Sequence, residues 1–169
     1  VPVIVDAAAE LPPRSNLRRF ISEGADLVTF SGGKAIGGPQ SSGILAGRAD
    51  LIASIALQHQ DMDVRGQTWN RRSLLGSGAI GGVPHQGLGR SLKVGREEIV
   101  GLITALERYV AGSDDDDALV WTGRLDIVAA TLGEIDGVVV TRRCPPEKPV
   151  PVLSLTLDET RLGRTAYEV

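Results

Sequence analysis

Two short β-branched runs, each ending in a residue with chemistry to offer, constrain this chain more than any other feature. Val1-Pro2-Val3-Ile4-Val5 runs into Asp6, and Asp26-Leu27-Val28-Thr29-Phe30 runs into Ser31-Gly32-Gly33-Lys34. Continuous apolar runs of this length read as strands buried on both faces, the parallel-sheet kind. Between them, Pro12 and Pro13 break the chain, and residues 16–24 read as a helix. Leu17, Phe20 and Ile21 lie on one face of that helix, and Gly24 stands at its C-cap. Strand, crossover helix and return strand put Asp6 and Lys34 at the carboxyl ends of neighbouring strands. In open α/β sheets, that edge is where ligands bind.

The rest of the chain divides by pattern. Gly37-Gly38-Pro39 forces a turn, residues 42–47 read as a third strand, and residues 49–57 as a helix with Asp50 in its first turn. Residues 59–92 are polar, glycine-rich and without a period, which marks a long functional or irregular loop. Residues 95–110 form the strongest helix, with Ile99, Leu102, Ile103, Leu106 and Tyr109 (or Val110) at amphipathic spacing as a core stripe. Gly112-Ser113 and four aspartates, 114–117, read as a solvated hinge, so a domain boundary is expected there. Beyond it, a helix over 118–132 and strands over 137–141 and 150–157 suggest an α+β segment.

Composition narrows the function. The net charge of −3 gives no electrostatic case for nucleic acid or an anionic membrane. Cys144 is the only cysteine, which excludes an intramolecular disulfide and a cysteine zinc cluster. No apolar run approaches the length of a membrane span, and no signal pattern opens the chain, so a cytoplasmic protein is expected. The chain starts at Val1 inside a strand, and its one methionine is Met62. It is therefore expected to be part of a larger enzyme.

A lysine in a glycine-rich bend at a sheet edge can form a Schiff base with an aldehyde cofactor. That chemistry needs an acid beside a pyridine nitrogen to keep the ring protonated and electron-accepting. Asp6, at the end of the neighbouring strand, supplies one. Ser31 offers a hydroxyl and a backbone N–H to a cofactor phosphate.

The ordered set Val5-Asp6-Ala7-Ala8, Ser31-Gly32-Gly33-Lys34, Gly37-Gly38-Pro39-Gln40, Ser42-Gly43-Ile44-Leu45 and Gly47-Arg48 resembles the selenocysteine-synthase-like family. Residues 89–98 resemble the segment that leads into that family's domain-linking helix. These are fold-type-I pyridoxal 5'-phosphate enzymes, among them L-seryl-tRNA selenium transferase and D-glucosaminate-6-phosphate ammonia-lyase. The resemblance covers about residues 1–110. It implies that Lys34 carries the cofactor, that Asp6 faces its pyridine nitrogen, and that Gly38 and Gln40 lie near its phosphate, either their own subunit's or a neighbour's. The tRNA-dependent enzymes of the family typically read Ser-Gly-Asp-Lys where this chain has Gly33. That difference favours the sugar-acid branch over selenium transfer, and tRNA is not an expected partner. The family's phosphate cup also draws on a helix and loop upstream of the Asp6 strand.

Other signals carry less. Gly33-Lys34 is not a nucleotide phosphate loop, because Val28 and Ala35 stand where glycine and Ser or Thr are needed. Residues 76–81 match GxGxxG, yet no strand precedes them and Pro84 follows, so they read as a loop. His59, Asp61 and Asp63 form a chance-level metal triplet, and no metal is expected. His85 is a candidate for the substrate entrance. Arg90 and Lys93 are candidates for a substrate phosphate or carboxylate, with plain surface charges as the alternative.

The expected architecture is α/β: a PLP-dependent transferase fold (aspartate aminotransferase-like, fold type I). Residues 1–111 would form the C-terminal half of its large domain, and 112–169 the beginning of an α+β small domain. The expected function is PLP-dependent α,β-elimination on a small-molecule amino acid or amino-sugar acid, in a homodimer or larger homo-oligomer. Selenium transfer and a non-catalytic remnant of the fold stand as alternatives.

Overall fold

The computed structural model describes residues 1–60, 65–145 and 149–168. Its N-terminal unit is a three-stranded sheet in the order β1-β2-β3, with β1 Ile4–Asp6, β2 Leu27–Ser31 and β3 Gly43–Gly47. β1 and β2 are parallel, in the register Ile4↔Leu27, Val5↔Val28, Asp6↔Thr29. β3 returns antiparallel, with Phe30 opposite Ile44 and Ser31 opposite Gly43. The crossover from β1 to β2 is α1, Asn16–Ser22. It ends at Gly24, whose φ of +106° suits a residue without a Cβ. This is the strand–helix–strand unit expected from the two apolar runs.

Side chains alternate across a strand, so the register divides the sheet into two faces. Val5, Val28, Phe30, Ile44 and Ala46 share one face. Leu17 and Phe20 of α1 pack against it, as do Leu102, Ala105, Leu106 and Tyr109 of α4 (Arg96–Ala111). The opposite face carries Ile4, Asp6, Thr29, Ser31 and Leu45. Two expectations are corrected here. The Val1–Val5 run is not buried on both faces, since Val3 is 54% and Ile4 64% exposed. β1 stands at the edge of the described sheet, while Leu27, beside Ile4 on the same face, is buried at 3% exposure. The α4 core stripe is narrower than the spacing suggests, because Ile99 and Ile103 are about half exposed. The face pressed on the sheet is centred instead on Leu102, Ala105, Leu106 and Tyr109.

β3 leads into α2 (Ala49–Gln58), and the segment after it contains the four-residue α3 (Ser73–Gly76) with short 3-10 turns on either side. The GxGxxG letters at 76–81 thus follow a short helix and not a strand. Trp69 anchors this segment at 2% exposure. α4 is followed at once by α5, Asp114–Gly133. The four aspartates expected as a hinge form the first turn of α5, where carboxylates complement the helix dipole. Ser113 is the N-cap, its hydroxyl accepting from the Asp116 N–H. α5 packs on a two-stranded antiparallel sheet, β4 (Val138–Arg143) and β5 (Val152–Leu157), and the short α6 (Glu159–Leu162) follows. Among the described residues, no helix is long and apolar enough to cross a membrane.

One ionic tie holds the edge strand. Asp26 accepts the Val3 N–H at 2.7 Å and pairs with Arg48 at 2.8 Å. The Arg48 hydrogen bond, then the Val3 N–H, hold the Asp26 carboxyl below its ordinary range. A depressed carboxylate stabilises the fold fully above its unfolded pKa of about 3.9 and loses that contribution as pH falls through the lower folded value. Thermal melts between pH 6 and 2 should therefore fall steeply only below about pH 4, and Asp26→Asn should flatten that limb.

Candidate active site

Asp6 ends β1, and the turn after β2 presents Lys34. Both side chains are exposed. Asp6 Oδ1 accepts the Ala8 N–H at 3.0 Å, which leaves Oδ2 without a protein partner among the described residues. Lys34 likewise has no hydrogen bond or ion pair there. A primary amine and a carboxylate with one oxygen to spare therefore stand at one sheet edge. By strand parity, Ser31 is on the same face as Asp6.

The lysine turn is tightly built. The Gly32 N–H donates to Ser42 O at 2.9 Å, Gly38 to Gly32 O at 2.8 Å and Gly37 to Lys34 O at 2.9 Å. Gln40 Nε2 donates to Gly33 O at 2.9 Å, and the Ser42 hydroxyl to Pro39 O at 2.6 Å. Gly38 and Gln40 thus hold the lysine turn together through their own hydrogen bonds.

Glycine is required here by packing. A Cβ on Gly32 would collide with the Ser42 hydroxyl and come within 2.8 Å of Leu102 Cδ1. One on Gly33 would lie 2.6 Å from Gln40 Cα. Gly33→Asp should force the backbone of one segment to move, costing about 1–3 kcal/mol as overpacking does. Calorimetry on the variant should record a melt lower by roughly 2–4 °C for each of those kcal/mol.

The other candidates are placed elsewhere. His85 is exposed, and Arg90 and Lys93 lie at and just after the 3-10 turn Arg90–Leu92. Their loop is tied to the end of α2, Gly87 N–H to Gln60 O at 3.0 Å and Gly89 N–H to Gln58 O at 2.9 Å. His59 packs on Gly89, whose Cβ would sit 2.8 Å from the imidazole Cδ2. Asp61 and Asp63 lie outside the described residues. Among the described residues, no group of His, Cys, Asp or Glu could hold a metal ion.

Arg14 carries no signal in the sequence. Its Nε donates to Tyr109 O at 2.5 Å, and its guanidinium pairs with Asp114 at 2.5 Å and Asp117 at 2.7 Å. The same group stacks 4.3 Å from the Tyr109 ring centroid. Burial lowers the Arg14 pKa, but the two aspartates outweigh that effect and leave it raised, so the charge is permanent. Burial likewise raises the pKa of Tyr109, whose hydroxyl is buried without a hydrogen-bond partner.

The donor set fits pyridoxal 5'-phosphate: an amine for the aldehyde, a carboxylate for the pyridine nitrogen, and a hydroxyl on the carboxylate's face for the phosphate. Comparison with known proteins points the same way. Residues 4–65 match the SelA family, L-seryl-tRNA selenium transferase. Over 167 residues the chain is 33% identical to a 5'-C-glycyluridine monooxygenase-decarboxylase of Streptomyces sp., covering 98% of this chain and 34% of that protein. It is 34% identical over 138 residues to a D-glucosaminate-6-phosphate ammonia lyase of Salmonella typhimurium, covering 82% of this chain and 28% of that protein. Over 39 residues it is 62% identical to an L-seryl-tRNA(Sec) selenium transferase of Rhizobium meliloti, 23% of this chain and 8% of that protein. The chain spans about a third or less of the length of these relatives.

Proposed function

We propose, from the membership of this chain in the selenocysteine-synthase-like family of pyridoxal-phosphate enzymes, that it carries the catalytic lysine of a PLP-dependent enzyme of fold type I. The reaction proposed is α,β-elimination on an amino acid or amino-sugar acid. The observation that carries this reading is that Asp6 ends β1 and Lys34 lies in the turn that follows its parallel neighbour β2, so both stand at the carboxyl edge of a parallel strand pair. Bound there, the cofactor would supply an electron sink for the negative charge that develops at the substrate α-carbon.

The chain's own groups have separable tasks in this reading. Lys34 Nζ would hold the cofactor through its aldehyde and serve as the base for the α-proton. Asp6 Oδ2 would hold the pyridine nitrogen, while Oδ1 stays on the Ala8 N–H and fixes the carboxylate's orientation. The Ser31 hydroxyl would donate to the phosphate. Gln40, Gly38 and Ser42 keep the lysine turn in one shape. The working enzyme is read as a homodimer or larger assembly.

A second reading, decarboxylation at the same α-carbon, is favoured by the match to the monooxygenase-decarboxylase, which runs over 98% of the chain. The two share Lys34 and Asp6 and differ in which bond to the α-carbon breaks. The deciding experiment uses the full-length gene product. Borohydride reduction in the presence of pyridoxal phosphate, followed by peptide mapping, should find a phosphopyridoxyl group on Lys34. A folded full-length protein without it overturns the enzyme reading. Substrates labelled at the carboxyl carbon then separate the reactions: ammonia release with the label retained means elimination, and labelled carbon dioxide means decarboxylation.

A further inference from the structure

Arg14 lies in the loop after the Asp6 strand and bonds to the end of α4, the helix on which the lysine turn rests. The turn is backed directly by α4. A Cβ on Gly32 would come within 2.8 Å of Leu102 Cδ1, and one on Gly38 within 3.4 Å of Leu102 Cα. One on Gly101 would meet Pro39 Cγ at 3.0 Å. Helix and turn are therefore in close contact, through the Leu102 and Pro39 side chains and, at Gly38, the Leu102 backbone. Ile36, two residues after the lysine, is buried in one cluster with Tyr109.

Arg14 fixes the far end of that helix. Its Nε donates to the Tyr109 carbonyl, which also accepts the Gly112 N–H at the C-cap of α4. Its two terminal nitrogens take Asp114 and Asp117 from the first turn of α5, and its backbone N–H also donates to Asp114 at 2.9 Å. One planar fork thus joins the negative end of α4 to the acidic start of α5 across Gly112-Ser113. A Cβ on Gly112 would sit 2.6 Å from Arg14 Nη2, so the joint is shaped around the guanidinium. Arg14, Asp117 and Trp121 line the same groove as Ala35, Ile36 and Gly37, with the joint facing the back of the lysine turn.

We propose that Arg14 is a positioning residue for Lys34: by locking the α4–α5 joint, it sets the pose of α4 and hence the shape of the turn that presents the amine. The inference rests on the reading of Lys34 as the cofactor lysine, and its test separates the two. The full-length gene product is compared with its Arg14→Met, Arg14→Lys, Asp117→Asn and Gly112→Ala variants. Arg161→Met, which removes a surface pair to Asp136, is the control. Each protein is treated with pyridoxal phosphate and borohydride over time, and labelling of Lys34 is compared with Lys93 by peptide mapping. Amide exchange at Gly37 and Gly38, whose N–H groups close the turn, is read in parallel.

In Arg14→Met, the Lys34:Lys93 labelling ratio is expected to fall at least tenfold, and the Gly37 and Gly38 amides to exchange at least tenfold faster. Arg14→Lys, which keeps the charge but not the fork, should fall between, and Arg161→Met should match the parent. A merely stabilising role would lower the melting temperature and leave both native-state readouts unchanged, and that result overturns the proposal. If the parent labels Lys34 no faster than Lys93, the cofactor reading fails, and the exchange rates still decide the positioning role. If Arg14→Met does not fold, Asp117→Asn and Gly112→Ala carry the test with the same expected directions.

Discussion

Lys34→Ala will leave no phosphopyridoxyl peptide at the β2 turn and will lower turnover of the full-length enzyme by about a thousandfold, the scale of a lost general base. The structure allows this variant to be clean. The Lys34 side chain is exposed, and its turn is held by the backbone bonds of Gly32, Gly37 and Gly38 and by Gln40, none of which uses the amine. Melting should therefore stay within about 0.5 kcal/mol of the parent, as for an ordinary surface change. A folded Lys34→Ala enzyme that keeps more than a tenth of parental turnover would remove the lysine from the chemistry.

Asp6→Asn should produce the second large effect. The amide is isosteric and keeps an oxygen for the Ala8 N–H, so the end of β1 survives. It cannot balance a charge on a pyridine nitrogen. The expected loss is about a hundredfold in rate, roughly 3 kcal/mol of barrier. Lys34 should still be trapped by borohydride in this variant, which distinguishes loss of the electron sink from loss of the cofactor. Turnover equal to the parent's would show that the nitrogen is served by another group.

Much of the N-terminal unit was legible because its signals are local. Val3 to Asp6 and Leu27 to Ser31 announce strands by composition, and the Leu17–Phe20 spacing announces the crossover helix. The sharp turn at Gly37-Gly38-Pro39 and the register of Ser42 to Gly47 follow from short-range chemistry. The exposure of Ile4 was not legible, because burial depends on which strands and helices neighbour it in space. The same limit explains Ile99 and Ile103: periodicity finds a helix, but the arc that faces the sheet is set by where Gly32 and Gly38 let Leu102 come close.

The acidic run was misread for a related reason. Four consecutive aspartates look like a solvated linker until a partner 100 residues away in sequence is known. With Arg14 in place, Asp114 and Asp117 become half-buried ion-pair partners while Asp115 and Asp116 remain exposed. No window of sequence contains both sides of that contact.

The fit of Gln40 over Gly33 also bears on how such a turn changes over generations. Residue 33 has no room for a side chain while the main chain at 40 stays where it is, so a lineage cannot alter either position freely. A side chain at 33 would require what stands opposite it to move or be replaced. Positions 33 and 40 are thus expected to vary as a pair. Across many descendants, their substitutions should arrive together or be lost.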